Sequence, residues 1–169
     1  MTETPLTPSR LWKRMTSDQR RRAAHAFWSD PEATDDQVQA AFLIAQQKKF
    51  RAKTVIGLDL DRKANHLASI AAVPEQIAAR ALITYHLAEQ RPMMGAFLDA
   101  LGIAHENGLI QEENVQPDGD KVREAVKKIS AVFPAEDVQI YLNTLVCQDP
   151  ETWGILKDSI SETSAGTSR

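Results

Sequence analysis

The feature that most constrains this chain is the way proline punctuates its apolar periodicity. Pro74, Pro92, Pro134 and Pro150 each stand at the head of a segment whose apolar residues recur with helical spacing. Proline has no N–H to lose at the first helical position, and its φ is already helical. It therefore starts helices at such places and breaks them elsewhere. Other starts are equally legible. Thr7-Pro8 offers a cap followed by a first-turn proline, and Thr16 with Gln19, like Thr34 with Gln37, has the spacing of a capping box.

The segments between these signals carry apolar stripes. Val122, Val126, Ile129 and Phe133 form one over 120–133, and Val138, Tyr141, Leu142, Leu145 and Val146 form another over 135–148. Segment 150–160 offers Trp153, Leu156 and Ile160. Segment 35–52 offers Val38, Phe42, Ile44 and Ala45. Segment 75–90 is apolar nearly all round, which marks it as the most buried helix. Leu11, Trp12 and Met15 give a short early helix, and Ala23, Phe27 and Trp28 a second. The expectation is an all-α protein, a compact multi-helix bundle of about eight or nine helices joined by short proline-marked turns.

At 169 residues the chain is read as one helical domain over 9–160, with loose polar tails at 1–8 and 161–169. It has no apolar signal-peptide core and no run long enough to span a bilayer, so a soluble cytoplasmic protein without membrane contact is expected. The net charge of −3 divides unevenly: residues 1–85 carry +4 and residues 86–169 carry −7.

Segment 53–63, KTVIGLDLDRK, departs from the helical pattern. Ile56, Leu58 and Leu60 alternate with Gly57, Asp59 and Asp61. Over these few residues it resembles the opening strand and Asp-x-Asp of the haloacid-dehalogenase phosphotransferases. That resemblance implies a parallel sheet and two carboxylates holding Mg²⁺ and a phosphoryl group. Arg62 and Lys63 stand where that motif carries a small residue and Thr or Val. The competing expectation, which we adopt, is that Asp59 or Asp61 caps a helix with the stripe Leu60, Ala64, Leu67, Ala68 and Ala71.

Few residues suggest site chemistry. Cys147 is the only cysteine; it sits among apolar positions without a nearby base and reads as a buried, inert thiol. His25, His66, His86 and His105 fall in four different segments, and no two share the spacing of metal ligands on one helix face. His86 and Glu89 resemble, in reverse order, one ligand pair of the helical di-iron proteins, which need two such pairs and two further glutamates. No metal and no cofactor is therefore expected. No nucleophile elbow, phosphate-binding glycine loop or dinucleotide fingerprint is present, so the chain is expected not to be an enzyme.

Two basic clusters stand out. Lys48, Lys49, Arg51 and Lys53 end the 35–52 helix, where cations suit the negative end of its dipole. Arg10, Lys13, Arg14, Arg20, Arg21 and Arg22 come earlier. Arg20–Arg22 stand near a helix start, against that preference, with Trp12 and Trp28 nearby in sequence. Arg14, Arg20, Arg21 and Arg22 are the candidate partner-binding residues, and the competing account is a solvated face with an internal ion pair.

In FLDALGIAHENGLI (97–110), Gly102 is placed to end a helix in the left-handed conformation, and Asn107-Gly108 to form a tight turn. His105 and Glu106 are left without a structural task. With His86 they are the candidate ligand contacts.

The function expected is that of a non-enzymatic helical interaction domain, binding a protein partner or a second copy of itself. Two alternatives remain open. One is a nucleic-acid-binding or regulatory module using the N-terminal basic region. The other is a ligand- or metal-binding bundle using the histidines.

Overall fold

The structure is a computed structural model in which residues 6–166 are described. It is all-α: eleven α-helices, one 3-10 turn and one two-stranded hairpin among the described residues. The helices fall into two compact units, Met1–Ala88 and Glu89–Arg169.

The first unit contains α1 (Pro8–Arg14), α2 (Ser17–Ser29), the 3-10 turn Pro31–Ala33, α3 (Thr34–Lys48), α4 (Ala52–Ile56), α5 (Leu60–Ala68) and nearly all of α6 (Glu75–Glu89). The main packing is α2 against α5 and α3 against α4. Its core includes Leu11, Trp12, Phe27, Ile44, Val55, Leu67, Leu82 and Tyr85. Trp12 is fully buried because its one polar atom is satisfied: Nε1–H donates to the Ile70 carbonyl at 2.8 Å. Ser9 Oγ donates to the Val73 carbonyl at 2.6 Å and helps fix α1 on the segment leading into α6. Asp36 on α3 is buried and accepts from Gln76 Nε2 at 2.7 Å and Arg80 Nε at 3.0 Å on α6. A buried carboxylate needs such partners, so these bonds fix α3 against α6.

The second unit contains α7 (Arg91–Leu101), the strands β1 (His105–Glu106) and β2 (Leu109–Ile110), α8 (Gly119–Val132), α9 (Ala135–Gln148), α10 (Pro150–Trp153) and α11 (Leu156–Gly166). Helix α7 packs on α8, and α9 packs on α10 and α11. Phe97, Tyr141 and Trp153 form an aromatic cluster, with ring centroids 5.7 Å and 6.0 Å from Phe97.

Several sequence expectations hold at the level of single hydrogen bonds. Thr16 and Gln19 form the capping box, each side chain accepting the other's backbone N–H at 3.0 Å. Gly102 ends α7 at φ 70, and the Ile103 N–H reaches back to the Leu98 carbonyl at 3.0 Å. Helix α6 is buried on nearly every side from Ile77 to His86.

Other expectations are corrected. There are more helices than the periodicity suggests, because 35–52 and 150–160 each contain a break. The Thr34–Gln37 box does not form. The 3-10 turn runs straight into α3, so Thr34 is already helical and donates to the Pro31 carbonyl, while Gln37 Nε2 donates to the carbonyls of Phe27 and Asp30. Pro150 is a first-turn proline, but Pro134 sits one position earlier, at the cap of α9.

Segment 53–63 is not a strand: α4 covers its start, and Asp59 caps α5 by accepting the Arg62 N–H at 2.9 Å. Of the α3 stripe, Ile44 and Ala45 are buried but Val38 and Phe42 are exposed. Helix α11 continues to Gly166, so the expected C-terminal tail is helical over 161–166; residues 1–5 and 167–169 of the two tails lie outside the described residues.

Candidate contact surfaces

Of the four arginines expected to meet a partner, Arg21 and Arg22 are engaged within the chain. Asp18 in the first turn of α2 holds two of them, with Arg21 Nη2 at 2.6 Å and Arg22 Nε at 3.1 Å. The Arg22 guanidinium also lies 5.7 Å above the Tyr85 ring. Arg20 is half-buried beside an open cleft shared with Arg21, Asn65 and Ser69. Arg14 is exposed in the last turn of α1, where a cation suits the dipole. Trp12 and Trp28 do not line this surface: both are buried. Arg21 and Arg22 are thus brought to an exposed carboxylate of their own helix, and Trp12 and Trp28 are absent from that face.

The histidines are also accounted for one by one. His86 is 4% exposed, and its Nδ1–H donates to the Leu82 carbonyl at 2.7 Å. It belongs to the interior of α6, away from any surface contact. His105 bonds through both ring nitrogens. Nδ1 accepts the Gly108 N–H at 3.1 Å, which assigns the proton to Nε2, and Nε2–H donates to Asp99 Oδ1 at 2.6 Å. Its task is to brace the hairpin against α7. Glu106 is exposed and pairs with Leu109 in the two-residue ladder. His25 lies 3.9 Å from Asp61, and His66 meets the edge of Phe50 at 5.6 Å between ring centroids. No group of three His, Cys, Asp or Glu side chains among the described residues is arranged to hold a metal ion. Cys147, expected to be buried, is only half-buried on α9.

The surface features that stand out lie elsewhere. On α3, Phe42 is 58% exposed and Val38, one turn earlier, is 37% exposed. Helical spacing puts this pair on one side, flanking the buried Ala41 and Ala45. At the end of α3 the chain bends through Lys49 into α4, with Phe50 and Ile56 exposed among Lys48, Lys49, Arg51 and Lys53. The dipole explains Lys48, in the last turn of α3. It does not explain Arg51, which stands at the N-terminal cap of α4. The sequence signal was available in the interleaving of Phe50 and Ile56 with four cations, but one long helix over 35–52 concealed it.

No helix among the described residues is long and apolar enough to cross a membrane. Compared with known proteins, the chain matches no family model, and no curated protein or solved structure is significantly similar to it.

Proposed function

We propose that this protein is a non-enzymatic helical interaction domain whose partner is another protein chain. The observation that carries this reading is the apolar face of α3. Phe42 exposes more than half of its surface beside Val38, on a helix whose opposite side is held in place by the Asp36 bonds to Gln76 and Arg80. A large aromatic on a rigid helix costs little ordering entropy when it docks, which is why such residues serve as anchors at protein interfaces. The N-terminal arginines support the reading less than their sequence pattern suggests, because Arg21 and Arg22 both already pair with Asp18.

The test is the double substitution Val38→Ser, Phe42→Ser. Parent and variant, each expressed in and purified from the cells that naturally make the protein, are compared by sedimentation velocity and thermal melting. The expected result is an unchanged melting temperature with loss of association. A variant that associates like the parent removes this face as the contact. A variant that melts several degrees lower shows that the two side chains are packing residues instead.

A further inference from the structure

Asn107 is the one asparagine in the chain that a glycine follows. That pair has a chemistry of its own. The Gly108 nitrogen can attack the Asn107 side-chain amide at Cγ and close a five-membered succinimide ring. The new N–Cγ bond replaces the Cγ–Nδ2 bond, and ammonia leaves with the proton that Gly108 gives up. Water then opens the ring at either carbonyl, leaving aspartate or isoaspartate at position 107. No other reactant is needed, and glycine presents no side chain to hinder the closure.

The folded hairpin holds the reacting peptide in a different conformation. Asn107 at φ 52 and Gly108 at φ 91 form a type I′ turn, in which ψ of the first residue is small and positive. Ring closure requires the 107–108 peptide to swing to the far side of Asn107, until its nitrogen faces Cγ. Both ends of that peptide are bound. Arg91 Nη1 donates to the Asn107 carbonyl at 2.9 Å, and the Gly108 N–H donates to His105 Nδ1 at 3.1 Å. Asp99 Oδ1 accepts from His105 Nε2 at 2.6 Å and keeps the imidazole in place. The Asn107 side chain, by contrast, is exposed and has no hydrogen bond among the described residues. The restraint therefore falls on the attacking peptide and leaves the amide it attacks free to turn.

We propose that Asn107 is a site of spontaneous deamidation, governed by a clamp that Arg91 and His105 form on the 107–108 peptide. The closed clamp keeps the reaction slow, and the reaction proceeds from the minority of molecules in which the turn has opened. Its product undoes the turn. Isoaspartate adds a methylene to the backbone of a two-residue loop, so the pairing of His105 with Ile110 and of Glu106 with Leu109 loses its register. Deamidation is thus a one-way release of the hairpin from α7.

Peptide mapping by mass spectrometry tests this on the full chain held in mildly alkaline buffer, with the aspartate and isoaspartate forms separated chromatographically. Position 107 should deamidate at least about tenfold faster in denaturant than in the folded protein. His105→Phe keeps a ring but removes the acceptor, and Arg91→Met keeps the stem but removes the donor. Each should speed the reaction in the folded chain about fivefold, the effect of one lost hydrogen bond on the open population. Val138→Ala alters a buried position on α9, which packs on α8, α10 and α11. It lowers stability with both clamp bonds intact and should leave the rate at that of the parent. Circular dichroism confirms that each variant folds, and Arg91→Met carries the test if His105→Phe does not.

Equal rates in the folded and denatured parent, or clamp variants that react no faster than the parent, would overturn the proposal. A slower reaction in His105→Phe would also overturn it, by making His105 the base that draws the proton from Gly108. So would a Val138→Ala rate as high as that of the clamp variants, which would place the reaction in the globally unfolded chain.

Discussion

Gly108 lies so close against Met94 that a Cβ built on it would stand 2.8 Å from the Met94 Cβ. The hairpin turn therefore sits directly on α7. Asn107 at φ 52 and Gly108 at φ 91 make the two-residue turn with positive φ at both positions. The Gly108 N–H is in turn bound by His105 Nδ1. The substitution Gly108→Ala meets both obstacles, an unfavourable φ and an overpacked contact. It should destabilise the protein by about 2–4 kcal/mol in chemical denaturation. A loss below about 1 kcal/mol would show that the turn stands clear of α7.

Gly102 separates the two effects. It has φ 70, but nothing lies within 4 Å of the position its Cβ would take. Only the backbone term remains, so Gly102→Ala should cost about 1 kcal/mol. Equal losses at Gly102 and Gly108 would contradict the close approach at Met94.

Arg21 and Arg22 share one carboxylate yet should differ on charge reversal. Arg21 is exposed and pairs only with Asp18, so Arg21→Glu should change stability by less than about 1 kcal/mol. Arg22 is half-buried and covers the Tyr85 ring, so Arg22→Glu should cost more, about 1–3 kcal/mol. Denaturant midpoints of the two single variants check this. Equal, negligible effects would mean that the α2 arginines are a free surface and would restore them as partner contacts.

Burial drives the Tyr141 hydroxyl well above the ordinary tyrosine pKa. At neutral pH the phenol is protonated in both the folded and the unfolded chain, so its ionisation favours neither. As pH rises past about 10 the unfolded chain ionises first and stability falls until the folded pKa is reached. Melting temperatures between pH 8 and pH 11 should therefore drop in the parent and drop less in Tyr141→Phe. Parallel curves would show that Tyr141 ionises freely in the folded protein.

The lowered pKa of Asp149 works at the other end of the scale. Its carboxylate accepts from the Thr152 side chain and backbone at the start of α10, which favours the ionised form. That stabilisation is present above the unfolded aspartate pKa and is lost as pH falls through the folded one. Asp149→Asn should make α10 less sensitive to acid, seen as a flatter pH dependence of amide exchange at Thr152 and Trp153 between about pH 5 and pH 2.

What the sequence determined by itself was local. The 3.6-residue stripes, the Thr16–Gln19 box, the Asp59 cap and the Gly102 terminator were all legible, because each depends on residues within about one turn of one another. The all-α class followed from them. What only the tertiary structure decided was which apolar and charged residues remain facing outward. Val38 and Phe42 continue an apolar stripe as well as Ile44 does, yet no other helix covers them enough to bury them. Asp18 could have capped a helix without binding Arg21 and Arg22, and Trp12 could have joined the arginines at the surface had Ile70 not offered its carbonyl. His105 looked free until the hairpin brought Gly108 and Asp99 to its two nitrogens. Periodicity says that a face is apolar. Whether that face is buried depends on what packs against it, and that depends on contacts between residues far apart in the chain.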